Sequence, residues 1–208
     1  MKIGLNKVIK VLITSDFLLQ AGWGLIGPIF AIFITRHING GSVAVVGFIS
    51  ATYWVTKSVS QLFIGHFVDA KKGEQDDFKF LIGGMFIANL IPLGYLFSTE
   101  IVHIFILEFI RGLAMACVLP CWAGIFTRHI NKGWEAFSWS IDSTGIGLAF
   151  GLAAALGGFF ATILGFESLF VLVAILGLSS TFILFLIKKN LLKKNHFPPT
   201  TLSKEEPF

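Results

Sequence analysis

The 208-residue chain is 55% hydrophobic and only 13% charged, a balance that excludes an ordinary soluble globular domain and points to a lipid-facing one. Its formal net charge of +4 does not indicate nucleic acid, because the Lys and Arg form neither one basic face nor a long basic run. They lie between apolar segments, where the positive-inside rule places them in a multi-pass membrane protein.

In chain order, a short N-terminus (1–10) leads into an apolar run that superficially copies a signal peptide. The run continues through Gly27 and Pro28 to Ile34 without an A-x-A site, and so reads as a first membrane helix. A bilayer-spanning helix needs about 20 apolar residues. Cutting the chain at its polar interruptions predicts six transmembrane helices over 11–35, 42–68, 80–98, 102–127, 136–163 and 168–187. The connections at 100–101 and 165–167 are too short for an inserted soluble domain, so 11–187 reads as one bundle. A basic tail follows over 188–208; from Asn195 onward it is polar and carries Pro198 and Pro199, and is expected to be disordered.

Alternate loops differ sharply in charge. One side collects Lys2, Lys7, Lys10, Lys71, Lys72, Lys79, Arg128, Lys132, Lys188, Lys189, Lys193 and Lys194, and the other has Arg36 alone. Both termini are therefore expected in the cytoplasm of a protein of the cell (inner) membrane. Asp16-Phe17, Pro28 and Ala31 in the first helix match Glu108-Phe109, Pro120 and Ala123 in the fourth at identical spacing. That match predicts a 3+3 inverted repeat within an all-α six-helix bundle.

Asp16, Lys57, Glu108, Arg111 and Asp142 fall inside the predicted spans, where each costs about 2.5–3.5 kcal/mol on insertion scales and must face protein or water. Asp16, Gln20, Trp23 and Gly27 share one helical face, as do Ser50, Trp54, Lys57 and Gln61. Asp142 shares a face with Ser138 and Gly145. Helices one, two, four and five are thus expected around a hydrated centre, with three and six toward lipid. Asp16, Gln20, Trp23, Trp54, Lys57, Gln61, Glu108, Arg111 and Asp142 are the candidates for a substrate or ion path. Helix locking competes with that role, above all for Glu108 and Arg111, whose i,i+3 spacing lets them neutralise each other. Trp23 and Trp54 also read as packing. Lys57, near the bilayer centre with no acid nearby on its own helix, is the hardest to explain structurally. Gly147, Gly151 and Ala155, followed by Gly157 and Gly158, predict a close helix contact. Cys117 and Cys121 lack further ligands at metal spacing and read as small apolar residues; no metal or cofactor is expected.

The segment Gly65-His66-Phe67-Val68-Asp69-Ala70-Lys71-Lys72-Gly73 resembles the loop between helices two and three of the major facilitator superfamily. By that resemblance Gly65, Asp69, Lys71 and Lys72 belong to a cytoplasmic charge network, with Ala70 where a basic residue is usual. Arg111 stands where the family often has a functional arginine, with Met115 in place of the glycine four residues on. Leu156-Gly157-Gly158, Gly165-Phe166-Glu167 and Leu169-Phe170 are similar to the family's pattern around helices five and six, and Ala154 replaces its antiporter proline. The resemblance implies one N-terminal-half-like unit of a secondary transporter for a small solute, with protons as candidate coupling ions. In the family, two such bundles rock about a cavity, so the implied partner is a second copy or a complementary half. A non-transporting structural or regulatory subunit is the alternative. An intramembrane serine protease is disfavoured, because no Gly-x-Ser-Gly occurs and His37, His66, His103, His129 and His196 lie at or beyond the predicted helix ends. Regularly spaced arginines for voltage sensing and a nucleotide-binding motif are also missing.

Overall fold

The computed structural model describes residues 5–70 and 73–193, which include neither the loop lysines Lys71 and Lys72 nor the tail from 194 onward. The helices are α1 (Lys7–Ile26), α2 (Phe30–His37), α3 (Val43–Ala70), α4 (Glu74–Tyr95), α5 (Ile101–His129), α6 (Glu135–Ile183) and, after a 3-10 turn at Leu184–Ile187, α7 (Lys188–Lys193). Among the described residues the bundle is all-helical, with five helices long and apolar enough to cross a membrane.

Two breaks shape the chain. Pro28 has no N–H and its ring crowds the carbonyl four residues back, so the apolar run at 11–35 forms two helices, α1 and α2, joined through Gly27–Ile29. Within α6, Gly165 takes φ +77° and ψ 168°, a backbone region open to glycine. At about 1.5 Å per residue, an unbroken 49-residue helix would extend roughly 70 Å, more than twice the hydrocarbon thickness. Gly165 instead folds α6 into two antiparallel arms, both lying against α1: Gly24 meets Phe150 and Ala153 of the first arm, and Gly22 meets Val173 and Leu176 of the second.

The helices pack in the order α3, α5, α4, α6, α1. Two apolar clusters fill the interior. One joins Leu12, Leu81, Ile125, Phe126 and Leu184; the other joins Ile26, Ile34, Ile49, Ile104 and Phe170. Buried polar side chains such as Ser15, Asn89, Glu108 and Ser180 interrupt this apolar interior, giving a polar layer within the bundle. In it, Asn89 donates to the Gly177 carbonyl (2.8 Å) and to the Thr181 hydroxyl (3.1 Å), linking α4 to the second arm of α6. Ser15 and Ser180 exchange hydroxyl-to-carbonyl bonds of 3.0 and 2.6 Å between α1 and that arm. With no water to compete, such bonds secure helices that apolar burial alone cannot hold together in lipid.

Small residues set the closest approaches, and of those expected only Gly157 does so. Ala149, Ala153 and Gly157 are buried, and a Cβ on Gly157 would fall 2.0 Å from the Leu25 carbonyl oxygen. Gly147, Gly151 and Gly158 face open space within the chain, and Ala155 is exposed. Both stripes repeat every four residues; a two-residue offset turns one about 200° from the other, and periodicity alone does not choose between them. The expected division of helices also changes: α4 is about half buried and the second arm of α6 buries Leu169, Phe170, Val173, Ala174 and Gly177, whereas α3 is the most exposed spanning helix, with Phe48, Leu62 and Phe63 uncovered.

At the end of the bundle where α4 begins and α5 finishes, Arg128 donates to Glu74 (Nε to Oε1, 3.1 Å) and to Asp77. Acids in the first turn of α4 and bases in the last turn of α5 also suit the two helix dipoles. The Asn6 amide, which caps α1 by accepting from the Ile9 N–H, donates to the His129 carbonyl and ties the start of the chain to this cluster.

Replacing Gly157 by leucine is expected to disrupt the α1–α6 contact and lower the detergent-solubilised melting temperature sharply, whereas Gly158→Leu on the open side should have little effect; equal losses would contradict this packing. Arg128→Gln strands two buried carboxylates and is expected to destabilise by roughly 3–5 kcal/mol, with Asp77→Asn in the same background recovering part of the loss in a thermal melt.

Candidate functional site

The polar layer opens into a cavity of about 410 Å³ between α1 and α3, backed by α5. From α1 come Gln20 and Trp23, from α2 Phe30, from α3 Ser50, Tyr53, Trp54 and Lys57, and from α5 Glu108, Arg111 and Met115, and Tyr95 of α4 and Phe150 of α6 also line it.

Its organising group is the Glu108 carboxylate, which is 1% exposed. A bare carboxylate at this depth would be prohibitive, and two donors answer it. Arg111, one turn on, gives Nε to Oε1 at 2.9 Å and its terminal nitrogen to Oε2 at 2.5 Å, a two-pronged charge-assisted pair. The Tyr95 hydroxyl donates to Oε1 from α4, so the pair also ties two helices together. The guanidinium in turn lies between two rings, 3.6 Å from the Tyr53 centroid and 4.3 Å from that of Trp23. Planar, weakly hydrated guanidinium stacks in this way where an ammonium cannot.

Lys57 sits differently. Its ammonium lies 4.9 Å from the Trp54 ring centroid and 5.9 Å from that of Tyr53, and among the described residues no carboxylate pairs with it. A Cβ on Gly112 would fall 3.0 Å from Tyr53 and Thr56, so it is the bare glycine that lets α3 approach α5 closely enough to bring the Tyr53 ring over Arg111.

Of the candidates, Gln20, Trp23, Trp54, Lys57, Glu108 and Arg111 converge on the cavity. Asp16 is half-buried one turn below Gln20 on α1, outside the lining and within electrostatic range of Asp142. Asp142 is buried outside the lining, and its Oδ1 has no hydrogen-bond partner. Gln61 is half-buried and is not part of the lining. In the loop motif, a Cβ on Gly65 would meet Pro120 at ordinary contact distance and Asp69 is exposed, while Lys71 and Lys72 lie outside the described residues. The ion pairs nearby are those of Arg128 with Glu74 and Asp77, which the motif did not single out.

Tyr53 and Tyr95 escaped the sequence reading although they are the only two tyrosines in the chain. Tyr53 was accessible in principle, one turn before Lys57 on the same face; Tyr95 was not, because its link to Glu108 depends on how α4 packs against α5.

An uncharacterized MFS-type transporter of Methanocaldococcus jannaschii is 24% identical to this chain over 184 residues, covering 88% of this chain and 46% of that protein. The chain thus spans about half the length of the curated relative it matches. The sequence profile described as Major Facilitator Superfamily matches residues 12–206, and on that match the chain is a multi-pass membrane protein belonging to the major facilitator superfamily.

Proposed function

We propose that this chain is one six-helix unit of a secondary transporter that moves a small solute across the cell membrane by alternating access, working as a homodimer with both termini in the cytoplasm. The observation that carries the reading is the mid-depth cavity, polar at its base and open between α1 and α3 rather than closed by a sixth neighbour. A binding site at the bilayer midplane, on the face where a second bundle would stand, is what such a mechanism requires. Six passes put a second copy in the same orientation, and an axis along the membrane normal would bring two such faces together. The uncovered apolar face of α3 and the open small-residue stripe at Gly147 and Gly151 fit contact with that copy. Membership of the family supports transport as the activity. Asp16 and Asp142, two carboxylates near each other on the approach to Gln20, are the candidates for proton coupling.

A second reading draws on Glu108 and Arg111 being satisfied within one helix, with Tyr95 fastening α4. On that reading the charges only assemble the bundle, and the chain is a structural or regulatory subunit or pairs with a different half.

Two measurements separate these. Subunit counting in lipid nanodiscs is expected to give two copies. Proteoliposomes loaded with a mixed pool of small metabolites are expected to release at least one of them, read by mass spectrometry, and Arg111→Lys, which keeps the charge but loses the fork and the stacking, should cut that release by about tenfold or more with the two-copy assembly intact. A persistent monomer that moves nothing, or an Arg111 variant that only fails to assemble, would establish the structural reading instead.

A further inference from the structure

Resting on the cavity as a solute site, we propose that its ligand is a small organic anion, with the negative group against the Lys57 ammonium and the apolar body among Trp23, Trp54 and Phe30.

The balance of charge in the lining decides the sign. Three acidic or basic side chains line the cavity: Lys57, Glu108 and Arg111. Glu108 and Arg111 cancel each other, and Tyr95 occupies further acceptor capacity of the carboxylate. One positive charge is left, on Lys57, which lies over the Trp54 and Tyr53 rings and has no carboxylate paired with it among the described residues. Ring faces offset only part of what a mid-bilayer ammonium loses in hydration. A single negative group on the solute would neutralise the site and supply the missing acceptor.

The other solute charges fit less well. A cation would have to approach two cationic side chains, and the one carboxylate of the lining is covered by its own partners. Metal ions are also unsuited, since no group of three His, Cys, Asp or Glu able to hold one occurs among the described residues. A neutral solute would leave Lys57 as it is. The rest of the lining is aromatic and aliphatic, with Gln20 and Ser50 as neutral hydrogen-bonding groups, and the cavity volume lies within the range of small-molecule sites. An anion with an apolar frame satisfies both parts; a highly hydrated inorganic ion satisfies one.

The test uses three probes built on one ring, benzoate, benzamide and benzylamine, titrated into the full-length protein in nanodiscs by calorimetry and by tryptophan fluorescence, since Trp23 and Trp54 line the cavity. Benzoate is expected to bind saturably, at least about tenfold tighter than benzamide, with benzylamine weakest. Lys57→Met should bring benzoate to the level of benzamide, and Lys57→Arg should restore most of its affinity, with both variants matching the parent in melting temperature and elution. Preference for benzylamine, equal binding of benzoate and benzamide, no saturable binding of any probe, or benzoate affinity indifferent to Lys57→Met would each overturn the anion site. Should Lys57→Met fail to fold, competition decides the matter on the unmodified protein: cyclohexanecarboxylate should displace benzoate and cyclohexylamine should not, and the reverse overturns it. Benzoate binding in a preparation that moves no solute would leave the anion site standing and remove the transport reading. Release of amines or neutral solutes without benzoate binding would do the opposite.

Discussion

The carboxylate of Glu108, buried at mid-depth in the bundle, is the constraint on which the rest depends. Hydrocarbon offers it no hydration, so the fold must bring donors to it. Arg111 is supplied by helical periodicity, one turn along the same helix. Tyr95 is supplied by packing, and its hydroxyl fixes where α4 stands against α5. Once Arg111 is held by the carboxylate, its guanidinium plane is set, and the rings of Tyr53 and Trp23 stack on it from α3 and α1. A single costly group therefore positions four helices around one cavity.

The same economy of polar groups governs the bundle as a whole. Apolar residues fill each end of the interior and face the lipid outside, so burial distinguishes poorly between correct and incorrect helix neighbours. Discrimination comes from the middle layer, where Asn89 finds Gly177 and Thr181 and where Ser15 and Ser180 find each other. Close approach completes it: Gly24 and Gly157 leave room for α1 against the first arm of α6, and no larger side chain fits there without displacement.

Much of this is legible in the amino-acid sequence, for reasons that are local. Hydropathy and the alternation of Lys and Arg announce a multi-pass membrane chain because lipid imposes them residue by residue. Glu108 and Arg111 are readable as a pair because i,i+3 spacing is a property of one helix. Lys57, Trp54, Trp23 and Gln20 are readable as facing inward because their spacing forms stripes. What escapes depends on neighbours. Tyr95 acts through a helix thirteen residues away in sequence, and Arg128 reaches Glu74 and Asp77 more than fifty residues away. The stripe of small residues at Gly147 and Gly151 is as regular as the one at Ala153 and Gly157, and only the placement of α1 tells them apart. Gln61 shares a stripe with the lining residues Ser50, Trp54 and Lys57 yet stands outside the cavity, and Asp142 shares its face with Ser138 and Gly145, neither of which lines it. Pro28 breaks its helix while Pro92 and Pro120 remain within theirs, a difference that the residue type alone does not forecast.

The exposure of α3 has a mechanical meaning. Both arms of α6 grip α1, and α4 is wedged between α5 and α6, so those elements share their loads among several neighbours. By contrast, α3 rests on α5, with only light contact to α2. It is built as a cantilever, pressed to its support where Gly112 admits Tyr53 and Thr56. Since α3 carries Ser50, Trp54 and Lys57, one wall of the cavity is borne by the least braced of the five long helices.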